Sequence, residues 1–122
     1  MGLCNKIILL YFLLLPFLGY SQTDCNNLPQ NYSTYNKALS AVRGVKFNFV
    51  DNINTSRSSF INSASYYSCD NKFGFLIIGL QGREYIYKNL PKTIWIQFKQ
   101  ASSLGTYYNK YIKGRYTLVL QN

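Results

Sequence analysis

Residues 73–88 read FGFLIIGLQGREYIYK, and this stretch decides the fold. Phe73 to Leu80 is almost wholly apolar, with Gly74 and Gly79 as interruptions. A short apolar run without polar alternation reads as a central strand buried on both faces. Gln81-Gly82 is a two-residue hairpin signal, and Arg83 to Lys88 is the strand that returns. Upstream, Asp70-Asn71-Lys72 is a turn, Phe60 to Ser68 reads as a strand, and 51–59 is turn-rich. Val45, Phe47 and Phe49 alternate with Lys46, Asn48 and Val50, which predicts a further strand. Tyr35, Leu39 and Val42 recur at helical spacing. They predict a helix over 34–43, with Ser33 or Thr34 as N-cap and Gly44 as the stop.

Downstream, Leu90-Pro91 opens a helix, with Pro at an early helical position. Ile94, Phe98 and Ala101 share one face of it, flanked by Trp95. Residues 102–105 break it, and Tyr107 to Lys113 is a second helical segment ended by Gly114. Tyr116 to Leu120 reads as an edge or closing strand. The predicted fold is α+β: a small antiparallel sheet of three to five strands, with two or three short helices packed on one side.

The N-terminus has a different character. Lys6 precedes the apolar run Ile7 to Leu18, and the small residues Gly19 and Ser21 suit a peptidase cut before Gln22. A run of twelve residues, broken by Tyr11 and Pro16, falls short of the roughly 20 apolar residues that a membrane span needs. Residues 1–21 are therefore expected to be a signal peptide, and the protein to be exported, periplasmic or extracellular, and not transmembrane. Removing Cys4 with that segment leaves Cys25 and Cys69, an even pair that predicts one disulfide. Twelve basic residues remain (thirteen less Lys6) against four acidic ones, a net charge of +8 that favours anionic partners. Two cysteines and no histidine argue against a metal site, and no motif calls for a cofactor.

Several short patterns recur in order. Ser58-Ser59-x-Ile61 precedes the hairpin, whose second strand holds Tyr85-Ile86-Tyr87; Leu90-Pro91 follows. Ala101-x-Ser103-x-Gly105-x-Tyr107-Tyr108-Asn109 comes last. This ordered set resembles the KTSC domain, a short module named for its place at the C-terminus of some lysyl-tRNA synthetases and found also as free-standing proteins. The resemblance covers about residues 58–116. It divides the chain into a signal peptide at 1–21, an N-terminal elaboration at 22–57, and a KTSC-like domain with a C-terminal strand at 58–122. The synthetase context implies RNA binding, which an export signal sets in doubt.

The chemistry-bearing residues point to binding rather than catalysis. Histidine is absent, and with it the commonest general base at neutral pH. Asp24, Asp51, Asp70 and Glu84 are widely spaced, and no phosphate-cradling glycine loop is present. From Arg83 to Arg115 there are seven basic residues and one acid, interleaved with tyrosines. Basic side chains among aromatic platforms suit single-stranded nucleic acid, and tyrosines suit sugar rings. The candidate ligand-binding residues are Arg83, Tyr85, Tyr87, Lys88, Tyr107, Asn109, Lys110, Lys113 and Arg115. Tyr85 and Tyr87 read equally as packing residues of a half-buried strand. The expectation is an exported, non-catalytic binding module for RNA, DNA, an acidic glycan or a lipid headgroup. A protein-binding or envelope-structural role stays open, as does a secreted effector with weak hydrolase or nuclease activity.

Overall fold

The computed structural model describes residues 24–29 and 31–121; the predicted signal peptide at 1–21 lies outside them. Four strands form one antiparallel sheet in the order β1-β2-β3-β4: β1 Phe49–Asn52, β2 Ile61–Ser68, β3 Phe73–Leu80 and β4 Arg83–Pro91. Each strand pairs with its neighbour in sequence, because short turns allow only antiparallel return. The β3–β4 turn has Gln81 at φ 49° and Gly82 at φ 84°, with Leu80 opposite Arg83. Both central residues are left-handed, as a mirror-image hairpin turn requires. At the β2–β3 turn, Asp70 Oδ1 accepts from the Lys72 and Phe73 N–H groups, both at 2.9 Å.

Alternate residues of β3 enter two separate cores. Leu76 and Ile78 pack with Tyr66, Leu90, Trp95, Phe98, Leu104 and Ile112. Ile77 packs with Leu39, Val42, Phe47, Ile86 and Leu118. The first face is covered by three consecutive helical segments: α2 Lys92–Gln100, α3 Leu104–Tyr107, and a π-helical continuation Tyr108–Ile112. The second is covered by α1 Tyr35–Arg43, whose Thr34 side chain caps the Lys37 N–H. Sheet and helices match the expected α+β class, but the helices lie on both faces rather than on one. Ile77 and Ile86 make the second face apolar, so it too must leave water.

Trp95 is fully buried at the centre of the first core. Its ring stacks on Tyr66 at 5.3 Å between centroids, and the Tyr66 hydroxyl donates to the Leu90 carbonyl at 2.8 Å. Burial raises that phenol to about 12, which keeps it a neutral donor. Gly74 makes room for the ring, since a Cβ there would lie 2.8 Å from Tyr66 Cζ and 2.3 Å from the Tyr67 carbonyl oxygen.

Other differences from expectation have local causes. β1 starts at Phe49, because Val45 and Phe47 pack into the second core from a loop. Pro91 closes β4 and N-caps α2 from an extended conformation, outside the helix. Residues 116–120 form no strand: only isolated bridges join Thr117 to Tyr87 and Leu120 to Tyr32. Tyr116 has φ 42°, a left-handed kink just before the single bridge from Thr117 to β4.

Cys25 and Cys69 form a disulfide, which is compatible with an oxidising compartment. It ties the N-terminal segment to the end of β2. Among the described residues no helix is long and apolar enough to cross a membrane. Replacing both cysteines with alanine should cost on the order of 4 kcal/mol, the chain-entropy value for a loop of about 45 residues. Urea denaturation of the two proteins measures it; equal midpoints would show that the bridge constrains little.

Candidate binding site

The chain breaks helix between α2 and α3, and the break makes a cleft. Arg57, just before β2, donates from one guanidinium nitrogen to the carbonyls of Lys99 (3.2 Å) and Ala101 (3.0 Å). It thereby satisfies carbonyls that the end of α2 leaves without intrahelical partners. Ser58 Oγ accepts from the N–H groups of Phe60 and Ile61 and fixes the entry to β2. Ser103 caps α3 by accepting from the Thr106 N–H at 3.2 Å. This cap lets the helix start at Leu104 rather than at Tyr107, and places Gly105 inside it.

Between these segments lies an open cleft of about 400 Å³. Its polar lining is Arg57, Ser58, Ser59, Ser102, Ser103, Thr106 and Asn109, over Phe60 and Leu104; no carboxylate lines it. Arg57 has five N–H donors, of which the two carbonyls take a minority. Gly105 lines the cleft without a folding reason to be glycine: a Cβ there would meet nothing within 4 Å, and its φ is not left-handed.

The wall of the cleft is anchored through Asp51 of β1. Its carboxylate accepts from Trp95 Nε1 at 2.9 Å and from Lys99 Nζ at 2.9 and 3.1 Å. Burial alone would raise this carboxyl. The hydrogen bonds from Lys99, Trp95 and the Asn52 backbone outweigh it and hold the group below its ordinary value of 3.8.

The residues singled out in the sequence fall on separate surfaces. Arg83, Tyr85 and Tyr87 line a groove of about 470 Å³ along β4, together with Tyr35, Glu84, Ile86 and Thr117. Tyr85 is 41% exposed, whereas Tyr87 is buried with its hydroxyl against that of Tyr108. On the opposite strand face, Glu84 forms an ion pair with Arg43. Lys88 is half-buried, and its backbone N–H donates to the Tyr116 carbonyl at 3.0 Å. Asn109 lines the cleft between α2 and α3.

Tyr107 is half-buried, stacked on Phe98 with its hydroxyl donating to Gln97, so it packs rather than standing free as a platform. The Lys110 ammonium lies over the Tyr111 ring at 5.3 Å. Lys113 and Arg115 are exposed after the π-helical turn. The basic, tyrosine-bearing candidates are thus divided between surfaces, because Tyr108 packs against Tyr87 of the sheet and Tyr107 against Phe98 of α2. Arg57, Ser59 and Ser102 were not among the binding candidates, because 51–59 read as turn and 102–105 as a helix break. The signal was there: the Ser-Ser pair and the Ala-Ser-Ser-Leu-Gly segment are the two walls of one cleft. Asp24 lies within 4.8 Å of both cysteine sulfurs, but these are joined to each other, so the group offers no thiolate to a metal.

A carboxyl held below its ordinary pKa contributes stability that is complete above that value and is lost as pH falls through the folded one. Asp51→Asn should therefore lower stability at neutral pH and flatten its decline between about pH 5 and about pH 2. The single tryptophan, bonded to Asp51, provides the fluorescence signal for urea titrations at each pH. Parallel curves for the two proteins would remove Asp51 from the acid response.

No curated protein and no solved structure matches the chain. Residues 57–116 match the family model described as the KTSC domain. The match opens on Arg57, spans β2 to β4 and α2, and includes both cleft walls. Residues 57–116 of this chain are a KTSC domain.

Proposed function

We propose that this protein is an exported, non-catalytic binding module whose KTSC domain seats an anionic group in the cleft between Arg57 and Asn109. One observation carries the reading: the cleft is lined by a guanidinium, several hydroxyls and a carboxamide, with no carboxylate. Such a lining offers many hydrogen-bond donors and one fixed positive charge, which suits phosphate, sulfate or carboxylate oxygens. Gly105 adds to it, because a glycine that folding does not require leaves room for close approach to the backbone.

The charge balance supports the same reading. Asp51 is tied to Lys99, Glu84 to Arg43, Asp70 to a turn and Asp24 to the Asn26 N–H. The chain's acids therefore serve as internal ties, and its excess of basic residues faces outward. The same ties support a binding role over catalysis. No carboxylate lines the cleft and no histidine exists, so the cleft lacks the usual general bases. The anion belongs to a nucleic acid, an acidic glycan or a lipid headgroup.

The test is a titration of the mature protein with single-stranded RNA, single-stranded DNA and heparin at two salt concentrations. Affinity should fall steeply with salt, as counterions are released from the polyanion. Asn109→Asp places a negative charge in the cleft and should weaken binding by about tenfold, roughly 1.4 kcal/mol. Gly105→Ala should raise stability by about 0.5–1 kcal/mol, since alanine suits a helix better, while weakening the same binding. Absence of polyanion binding at low salt would overturn the proposal. Unchanged affinity in both variants would move the ligand out of the cleft.

A further inference from the structure

β4 is the outer strand of the sheet, and its free edge is only half covered. Thr117 bridges Tyr87, and the Lys88 N–H donates to the Tyr116 carbonyl at 3.0 Å. Beyond Thr117 the chain leaves this lane. Leu118 is buried in the second core, and Leu120 bridges Tyr32. Beside Arg83 to Ile86 the lane for a fifth strand is open, and the groove of about 470 Å³ occupies it.

The register shows what the lane offers. In an antiparallel ladder, successive residues turn their backbone groups to alternate sides. Lys88 points outward to Tyr116, so Ile86 and Glu84 point outward too, while Tyr85 and Arg83 face Ile78 and Leu80. The Ile86 N–H and both backbone groups of Glu84 therefore face the groove. Side chains bound it on both sides. Tyr85 and Arg83 stand on one strand face, and Tyr35 of α1 reaches in from the other. Tyr35 is 46% exposed and Tyr85 41%, leaving aromatic surface on either side of the lane.

Charge selects among occupants. Arg43 already neutralises Glu84, whereas Arg83 has no acidic partner among the described residues. The groove thus presents an open backbone edge beside an uncompensated guanidinium. Nucleic acid cannot complete a β-ladder, and two copies of so basic a chain repel one another. We propose that this edge accepts an extended acidic peptide segment as a fifth strand, with backbone pairing at Glu84 and Ile86 and a carboxylate opposite Arg83. Main-chain hydrogen bonds supply the affinity in this mode, and alternate side chains supply the selectivity. The site is separate from the cleft at Arg57.

The probe is a fluorescein-labelled peptide, Glu-Val-Asp-Val-Glu-Val, titrated into the mature protein by anisotropy and by amide chemical shifts. Two control peptides accompany it: the same sequence N-methylated at alternate residues, and one with lysine in place of each acid. The acidic peptide should bind and shift the Glu84 and Ile86 amides, and both controls should bind at least about tenfold more weakly. Arg83→Glu should weaken the acidic peptide by a similar factor, and Gly105→Ala should leave it unchanged. Equal binding by the N-methylated peptide would overturn strand addition. So would shifts of the same amides by chito-oligosaccharide without response to the peptide, or concentration-dependent dimerisation through this edge in sedimentation.

Discussion

The rest of the structure depends on β3 being apolar on both faces. A strand with Leu76 and Ile78 on one side and Ile77 on the other cannot sit at a water-facing surface in either orientation. Each face needs its own cover, and the chain supplies two of different origin. The helices that follow β4 return over the first face, led by Trp95 stacked on Tyr66. The segment before β1 supplies the second, through Leu39 and Val42 of α1 together with Phe47.

This arrangement gives the N-terminal segment a structural role in a chain whose family match covers only residues 57–116. The matched segment alone would leave Ile77 and Ile86 uncovered. α1 closes that face, and the Cys25–Cys69 bridge holds the lead-in against the end of β2. The C-terminal residues contribute Leu118 to the same core. To bury it they leave the lane beside β4 after one bridge, so the cover of the second core and the open edge of β4 share one cause.

Polar ties complete the arrangement. The few acids each hold two elements or a turn together: Asp51 joins β1 to α2, Glu84 joins β4 to α1, and Asp70 shapes the β2–β3 turn. Arg57 does likewise from the cationic side, binding the carbonyl end of α2 to the entry of β2. Cations that pair internally set the cleft's geometry, and those that do not give the surface its sign.

The sequence by itself determined the elements that local chemistry decides. The apolar run of β3 and the Gln81-Gly82 turn fixed the hairpin, because both rest on backbone and side-chain preferences within a few residues. Helix 35–43, with its Thr34 cap and Gly44 stop, was legible for the same reason, and the disulfide followed from there being two cysteines after residue 21. The ordered motifs identified the KTSC segment. Only the tertiary structure decided which face each helix covers, that Tyr87 is buried while Tyr85 is not, and that Arg57 faces Asn109 across a cleft. Spacing along a strand or helix tells which residues share a face. It does not tell what will pack against that face, because contacts between distant segments are set by how the whole chain buries its apolar surface.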